Sequence, residues 1–437
     1  MLVDKVTLTD LGVVHTDEQQ SLLNYLNFTT TDGGKAYLHY LLTHPLNNVG
    51  AIHQTQYLLQ ALTSIQNKWP DTITNGTIMV IEKFYETSFS ALKSHNTTVE
   101  AFFYKILNRT DYSLLKYSLT HFLHFFKGIK QVAQLLANTN AHKLNVYADK
   151  INVLVNKPLL LNVVEFDSIE EVPTYLQINV VYFLKYHFKD YAQELIQVYN
   201  ELDAYLSLTK AITRYNFNFP AFVEAENSMF EVEELRHPLL QHPVAYNFNL
   251  QQQTNFLFLT GANMAGKSTF IKAVGLAAYL AHIGMAVPVK KMTCTFLDGL
   301  LSNIQVNDNI IKGESYFFNE VQRIKNTIQK ISDGKKWLIL IDELFKGTNV
   351  QDAMKCSTTV IEGLRKINQS LFILSTHLYE IANELQQHRN IIFKYFETAV
   401  ENDTLTFSYQ LKEGVSNDRL GYLILKREGV VTMLNKL

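Results

Sequence analysis

Cysteine is scarce. Only Cys294 and Cys356 occur in 437 residues, too few and too isolated for a disulfide framework or a zinc site, and they read as reduced core thiols of a cytosolic protein. A secretory leader is not expected, because Asp4, Lys5 and Asp10 interrupt the first turns where an apolar run would have to lie. Long uncharged apolar runs are missing too. The longest, Ala273 to Val289, is broken by His282 and Pro288 and is slightly short for a membrane span. Neither charge dominates: 39 Lys+Arg face 41 Asp+Glu, a net charge of -2. That balance excludes a protein that holds nucleic acid mainly through a basic field. A soluble cytoplasmic protein without membrane contact is expected.

What is present is apolar and aromatic. Hydrophobic residues make up 47%, with 27 Phe and 23 Tyr, enough for packed interiors and incompatible with wholesale disorder. The length suggests two or three domains. Glycine divides the chain: residues 1–225 hold 6 of the 18 glycines, and between Gly76 and Gly261 only Gly128 occurs. Glycine-free stretches suit helices, whose interiors lose roughly 1 kcal/mol per glycine.

The clearest helix is expected from about Thr174, after Pro173, to about Tyr215. Its apolar positions Leu184, Phe188, Tyr191, Leu195, Val198, Leu202 and Tyr205 follow a 3.5-residue seam suited to a packed bundle. Tyr112 to Val155 is also helix-compatible, so the first half reads as all-α. The second half changes rhythm. Short runs at 255–260, 337–341 and 371–374 alternate with helical segments, the pattern of a mostly parallel sheet covered by helices.

Gly261-Ala-Asn-Met-Ala-Gly266-Lys267-Ser268 matches the phosphate-loop pattern between a strand and a helix. Its backbone N–H groups and the helix N-terminus would cradle the β-phosphate of a nucleotide. Lys267 would bridge the β- and γ-phosphates, and Ser268 would ligate Mg²⁺. The uncharged stretch after it is then a helix buried behind this loop. Trp337-Leu-Ile-Leu-Ile-Asp342-Glu343 is an apolar strand ending in two acids. Asp342 would hold Mg²⁺ through water and Glu343 would polarise the attacking water. A third strand end carries Ser375-Thr376-His377, where His377 would donate to a γ-phosphate. Between them, Gly313-Glu314-Ser315 precedes a helix and offers a second set of phosphate donors, which suggests action across a dimer.

These segments resemble the MutS family of DNA mismatch-repair ATPases, relatives of the ABC ATPases. Thr260 to Thr269 is close to the family's T-G-P-N-M-[AG]-G-K-S-T, with Ala262 in place of proline and the Asn263-Met264 pair retained before Ala265. Gly313-Glu-Ser-Tyr-Phe317 sits where the family has G-R-S-T-F, its signature that reaches the opposite subunit's ATP. Asp342 to Asn349 resembles D-E-[IL]-G-R-G-T-S, with Phe345 replacing a glycine, and Ser375-Thr-His377 resembles A-T-H. Upstream, Leu235 to Leu240 looks like the family's entry into its ATPase domain. Glu201-Leu-Asp203 resembles the end of its lever helix, and Leu26 to Lys35 with Leu41 to Leu46 resembles the start of its core domain.

The resemblance implies an α/β P-loop ABC-type ATPase domain at 226–437, preceded by an all-α core and lever domain at 1–225. It implies ATP and Mg²⁺ as ligands and slow, dimer-dependent hydrolysis through a homodimer of ATPase domains, with Gly313 and Ser315 acting in trans. The family's N-terminal mismatch-reading and connector domains find no counterpart, and neither does its C-terminal dimerisation element. A role in mismatch repair or on other DNA structures follows from the resemblance. The charge supports direct DNA contact weakly: residues 1–225 carry 17 basic and 20 acidic residues. Lys105, Arg109, Lys116, Lys127 and Lys130 could line a basic face, although a solvated face is the plainer reading. The alternative is an ABC-type switch that moves protein partners without touching DNA.

Overall fold

The computed structural model describes all residues except 15–20, 91, 305–315, 402–403, 417–429 and 435–437. The chain forms two compact units. One comprises Leu26–Leu41 and Gln54–Arg214; the other comprises Met1–Tyr25, Leu42–His53 and Tyr215–Leu437. Glycine use suggested a single cut near residue 225, whereas this division takes two N-terminal segments into the unit that holds the C-terminal half.

The first unit is helical, with Arg109–Ala137 and Lys189–Tyr215 its longest helices. The single helix expected over 174–215 is two, Thr174–His187 and Lys189–Tyr215. At the break, Phe188 (φ -121°, ψ 1°) is fully buried and packs edge-on against Phe126, ring centres 5.7 Å apart. No proline or glycine marks this break; an aromatic anchor makes it. Downstream, Leu195, Val198, Leu202 and Tyr205 are buried as the seam requires, while Tyr191 stays 40% exposed.

Two resembling segments meet in this unit. Asp203, fully buried, accepts from the Thr30 and Thr31 backbone N–H groups, both at 2.9 Å, and from both threonine hydroxyls. Burial pushes its carboxyl above the usual range, and these donors oppose that shift. They anchor the start of the helix Asp32–Thr43, whose Gly34 N–H is capped by Thr31 Oγ1 at 2.9 Å.

The second unit holds two sheets. The larger has the order β1-β7-β8-β9-β5-β10-β11. Its strands are β1 Leu2–Val3, β7 Gly299–Asn303, β8 Trp337–Asp342, β9 Leu371–Ser375, β5 Phe256–Thr260, β10 Ile391–Glu401 and β11 Thr404–Glu413. All neighbours are parallel except β10 and β11. β5, β7, β8 and β9 are buried at every position, as strands covered on both faces must be. The smaller sheet orders β2 Ala221–Phe222, β6 Lys291–Cys294, β3 Met229–Leu235 and β4 Tyr246–Gln251. β4 alternates buried and exposed residues, so only one of its faces is covered.

The helix Lys267–His282 packs against β8, β9 and β3 and is almost wholly buried, which accounts for the absence of formal charge from Ala273 onward. Among the described residues no helix is long and apolar enough to cross a membrane. Local pairings show why the first residues belong to this unit. β1 extends the large sheet, and buried Asp10 meets Arg323 at 2.9 Å and accepts from Ser302 Oγ at 2.6 Å.

His282 is fully buried, with Nδ1 2.7 Å from the Ala278 carbonyl and Nε2 2.9 Å from the Leu297 N–H. Only the neutral ring protonated at Nδ1 satisfies both partners, and burial lowers its pKa to about 4. The unfolded chain therefore binds the extra proton first as pH falls. Stability should be full above about pH 6.5 and decline by roughly 3 kcal/mol toward pH 4 from this group alone. Urea unfolding at pH 7 and pH 5 checks this; equal stability at the two values would contradict it.

Candidate active site

The carboxyl ends of three neighbouring strands build the site. β8, β9 and β5 run parallel in that order, with Asp342 paired to Ser375 and Ser375 to Leu259. The acid pair, the Ser375–His377 segment and the loop after Thr260 are thereby brought to one edge of the sheet. In a parallel sheet, that edge is where ligands bind.

The loop 261–266 passes from β5 into the helix Lys267–His282 through left-handed backbone: φ is 138° at Gly261, 69° at Met264 and 108° at Gly266. A Cβ at Gly261 would stand 3.2 Å from the Phe396 carbonyl oxygen, so glycine is required there by both space and φ. The first N–H groups of the helix have no partners within it. With the turn they have the arrangement that could cradle an anion. Asn263, Met264 and Ser268 are exposed at its mouth; Ala262 and Ala265 are buried beneath it, and Thr269 is half-buried.

Lys267 is only 5% exposed. Its ammonium donates to the Gly261 and Ala262 carbonyls at 2.7 and 2.9 Å, closing over the loop. Burial lowers its pKa, while Glu343 and Asp342 work in the opposite direction. Asp342 is buried at the end of β8 and accepts a short hydrogen bond from the Ser375 hydroxyl. Glu343 follows at φ 62°, its N–H donating to the Ser375 carbonyl at 3.0 Å. Its carboxylate lies 3.1 Å from Lys346 Nζ and 3.6 Å from His377 Nδ1. Burial would raise this carboxyl, but the adjacent His377 ring and the Lys346 ammonium outweigh it and bring it down to about 2. The His377 side chain is 54% exposed.

Thus Gly261 to Thr269, Asp342, Glu343 and His377 converge at one edge. Gly313 and Ser315 lie outside the described residues. Sequence reading passed over two participants. Glu320, on the helix Tyr316–Ile331, is 5% exposed and accepts from the Lys346 and Gly347 backbone N–H groups at 3.1 and 3.2 Å. Lys346 pairs with Glu343. No spacing rule flagged either, because their meeting depends on how the helix lies against the turn. Phe345, where the resembling family has glycine, has φ 58°. Its ring is buried, with the Phe317 ring centre 5.7 Å away, and that burial offsets a left-handed strain of about 1–2 kcal/mol.

The basic face suggested by Lys105 to Lys130 is largely occupied. Lys116 pairs with Glu170 at 3.0 Å, Lys127 with Asp167 at 3.7 Å, and Lys105 lies over the Tyr112 ring.

A mostly parallel sheet covered by helices, with a glycine-bounded loop, a buried lysine and an acid pair at adjacent strand ends, defines a mixed α/β protein. Residues 257–433 match the family model of MutS domain V. It is 26% identical over 300 residues to the DNA mismatch repair protein MutS of Petrotoga mobilis, covering 68% of this chain and 35% of that protein. It is 30% identical over 213 residues to the Drosophila melanogaster DNA mismatch repair protein spellchecker 1, covering 47% of this chain and 23% of the relative. The Listeria innocua MutS shares 29% over 242 residues, 53% of this chain and 28% of its own length. The chain thus spans about a third or less of the length of these relatives.

Lys267 holds its charge at an energetic cost. Lys267→Met should therefore leave stability unchanged or raise it by about 1 kcal/mol, since an apolar side chain of similar length avoids the desolvation. Thermal unfolding checks this, and a fall of several degrees would show that the two carbonyl bonds outweigh the burial of the charge.

Proposed function

We propose that the chain binds and hydrolyses ATP with Mg²⁺ on a P-loop domain of the ABC type. In this reading a pair of chains closed by ATP serves DNA mismatch repair or acts on other DNA structures. The convergence of Lys267, Asp342, Glu343 and His377 beside the 261–266 loop carries the reading. The loop N–H groups and Lys267 would hold the phosphates. The Ser268 hydroxyl and the Asp342 carboxylate, the latter through water, are hard oxygen donors suited to Mg²⁺, which when bound neutralises phosphate charge. The left-handed glycine turn at the start of a helix fits a phosphate group.

Within this site Glu343 stays ionised across the neutral range and would take the proton of the attacking water. The half-exposed His377 would donate to the γ-phosphate. Gly313 and Ser315 of one chain would complete the site of the other. Glu343→Gln should therefore retain ATP while phosphate release falls about a hundredfold or more. Release per wild-type chain should rise with protein concentration. A rate independent of concentration from a species shown to be monomeric would contradict the paired site.

The DNA role rests on the relatives, which are named for mismatch repair. The pairing of Lys116 and Lys127 with acids and the charge balance favour a second reading, a switch that moves protein partners. Binding to homoduplex, mismatched and branched DNA at low and physiological salt separates the two. Under the DNA reading one of these structures should bind in an ATP-dependent way and weaken with salt. No binding under any condition would leave the protein-partner reading.

A further inference from the structure

The turn that follows the acid pair does not hold its own shape. Glu343 and Phe345 both sit in the left-handed region at φ 62° and 58°, a conformation disfavoured for residues with a Cβ. Two brackets hold it. On the sheet side, the Glu343 N–H donates to the Ser375 carbonyl at 3.0 Å. On the helix side, the Lys346 and Gly347 N–H groups donate to the two carboxylate oxygens of Glu320 at 3.1 and 3.2 Å, with the Phe345 N–H also directed to that carboxylate.

Glu320 is an expensive choice for a mere loop staple. It is 5% exposed, and a buried carboxylate is tolerated only where donors converge on it. What it fixes is the backbone of Lys346, whose ammonium reaches back 3.1 Å to the Glu343 carboxylate. The Phe317 and Phe345 rings, 5.7 Å apart, pack the same helix against the same turn.

Resting on the reading of Glu343 as the residue that activates water, we infer that Glu320 is a positioning residue for hydrolysis. It ties the turn 345–347 to the helix Tyr316–Ile331, so that Lys346 holds Glu343 in one orientation. That helix begins immediately after Ser315 in the chain. A displacement of the helix is therefore delivered to Lys346, and through it to Glu343, without any change in the loop that would hold the phosphates.

The test compares the full-length wild type, Glu320→Gln, Lys346→Met and the double variant. Glutamine keeps the shape of Glu320 but loses its charge and one accepting oxygen. Glu320→Gln should lower kcat for ATP hydrolysis about tenfold with KM for ATP within about twofold, because orientation and not binding is lost. The double variant should be no slower than Lys346→Met, since Glu320 acts through Lys346. Deuterium exchange at the Lys346 and Gly347 amides, read without nucleotide, should accelerate about tenfold in Glu320→Gln. A wild-type kcat in Glu320→Gln, losses that multiply in the double variant, or a loss confined to KM would each overturn the role of Glu320 and leave the site's reading intact. A wild-type chain that neither binds nor hydrolyses ATP would overturn that reading and this inference with it.

Discussion

Everything at the candidate site depends on the parallel register of β8, β9 and β5. Asp342 lies opposite Ser375, and Ser375 opposite Leu259. One step of slippage would turn each of these side chains to the other face of the sheet. The Ser375 hydroxyl on Asp342 and the Ser375 carbonyl on the Glu343 N–H lock this register at its functional end. Because the strands are buried on both faces, nothing polar competes along their length. The chemistry is confined to their tips.

Strain and buried charge gather at the same tips. Of the six non-glycine residues with positive φ among the described residues, Met264, Glu343 and Phe345 belong to the loop and the acid turn. Lys267, Asp342 and Glu320 are all nearly buried beside them. Each of these features destabilises the fold by itself, and the apolar helix Lys267–His282 between the two sheets offsets them. A site that keeps such residues trades stability for a fixed arrangement of charge. One departure from the resembling family falls into place on the same terms. Phe345 accepts a glycine's backbone conformation because its ring finds a buried place beside Phe317.

Much of the site was legible in the sequence because its signals are local. A strand, a glycine-bounded loop and a lysine occupy one short segment, and two acids end another. The burial of the helix beyond Lys272 followed from the lack of charge that begins at Ala273. What could not be read depends on residues distant in the chain. The break at Phe188 carries no glycine or proline and is made by the aromatic ring packed against Phe126. The grouping of Met1–Tyr25 with the C-terminal half rests on β1 beside β7 and on Asp10 beside Arg323. Glu320 lies 26 and 27 residues from Lys346 and Gly347, and only the fold brings their N–H groups onto its carboxylate. Ser315 and Gly313 stand as expectations, since they lie outside the described residues.

The most direct measurement labels the chain with an ATP analogue that carries a reactive acyl group on its γ-phosphate and transfers it to a neighbouring lysine. The labelled residue is then located by mass spectrometry. If the loop after β5 and the acid pair after β8 form one ATP site, the label falls on Lys267, alone or with Lys346, and excess ATP with Mg²⁺ abolishes it. Label that ATP does not displace, or that falls on lysines away from these strand ends, would contradict the site.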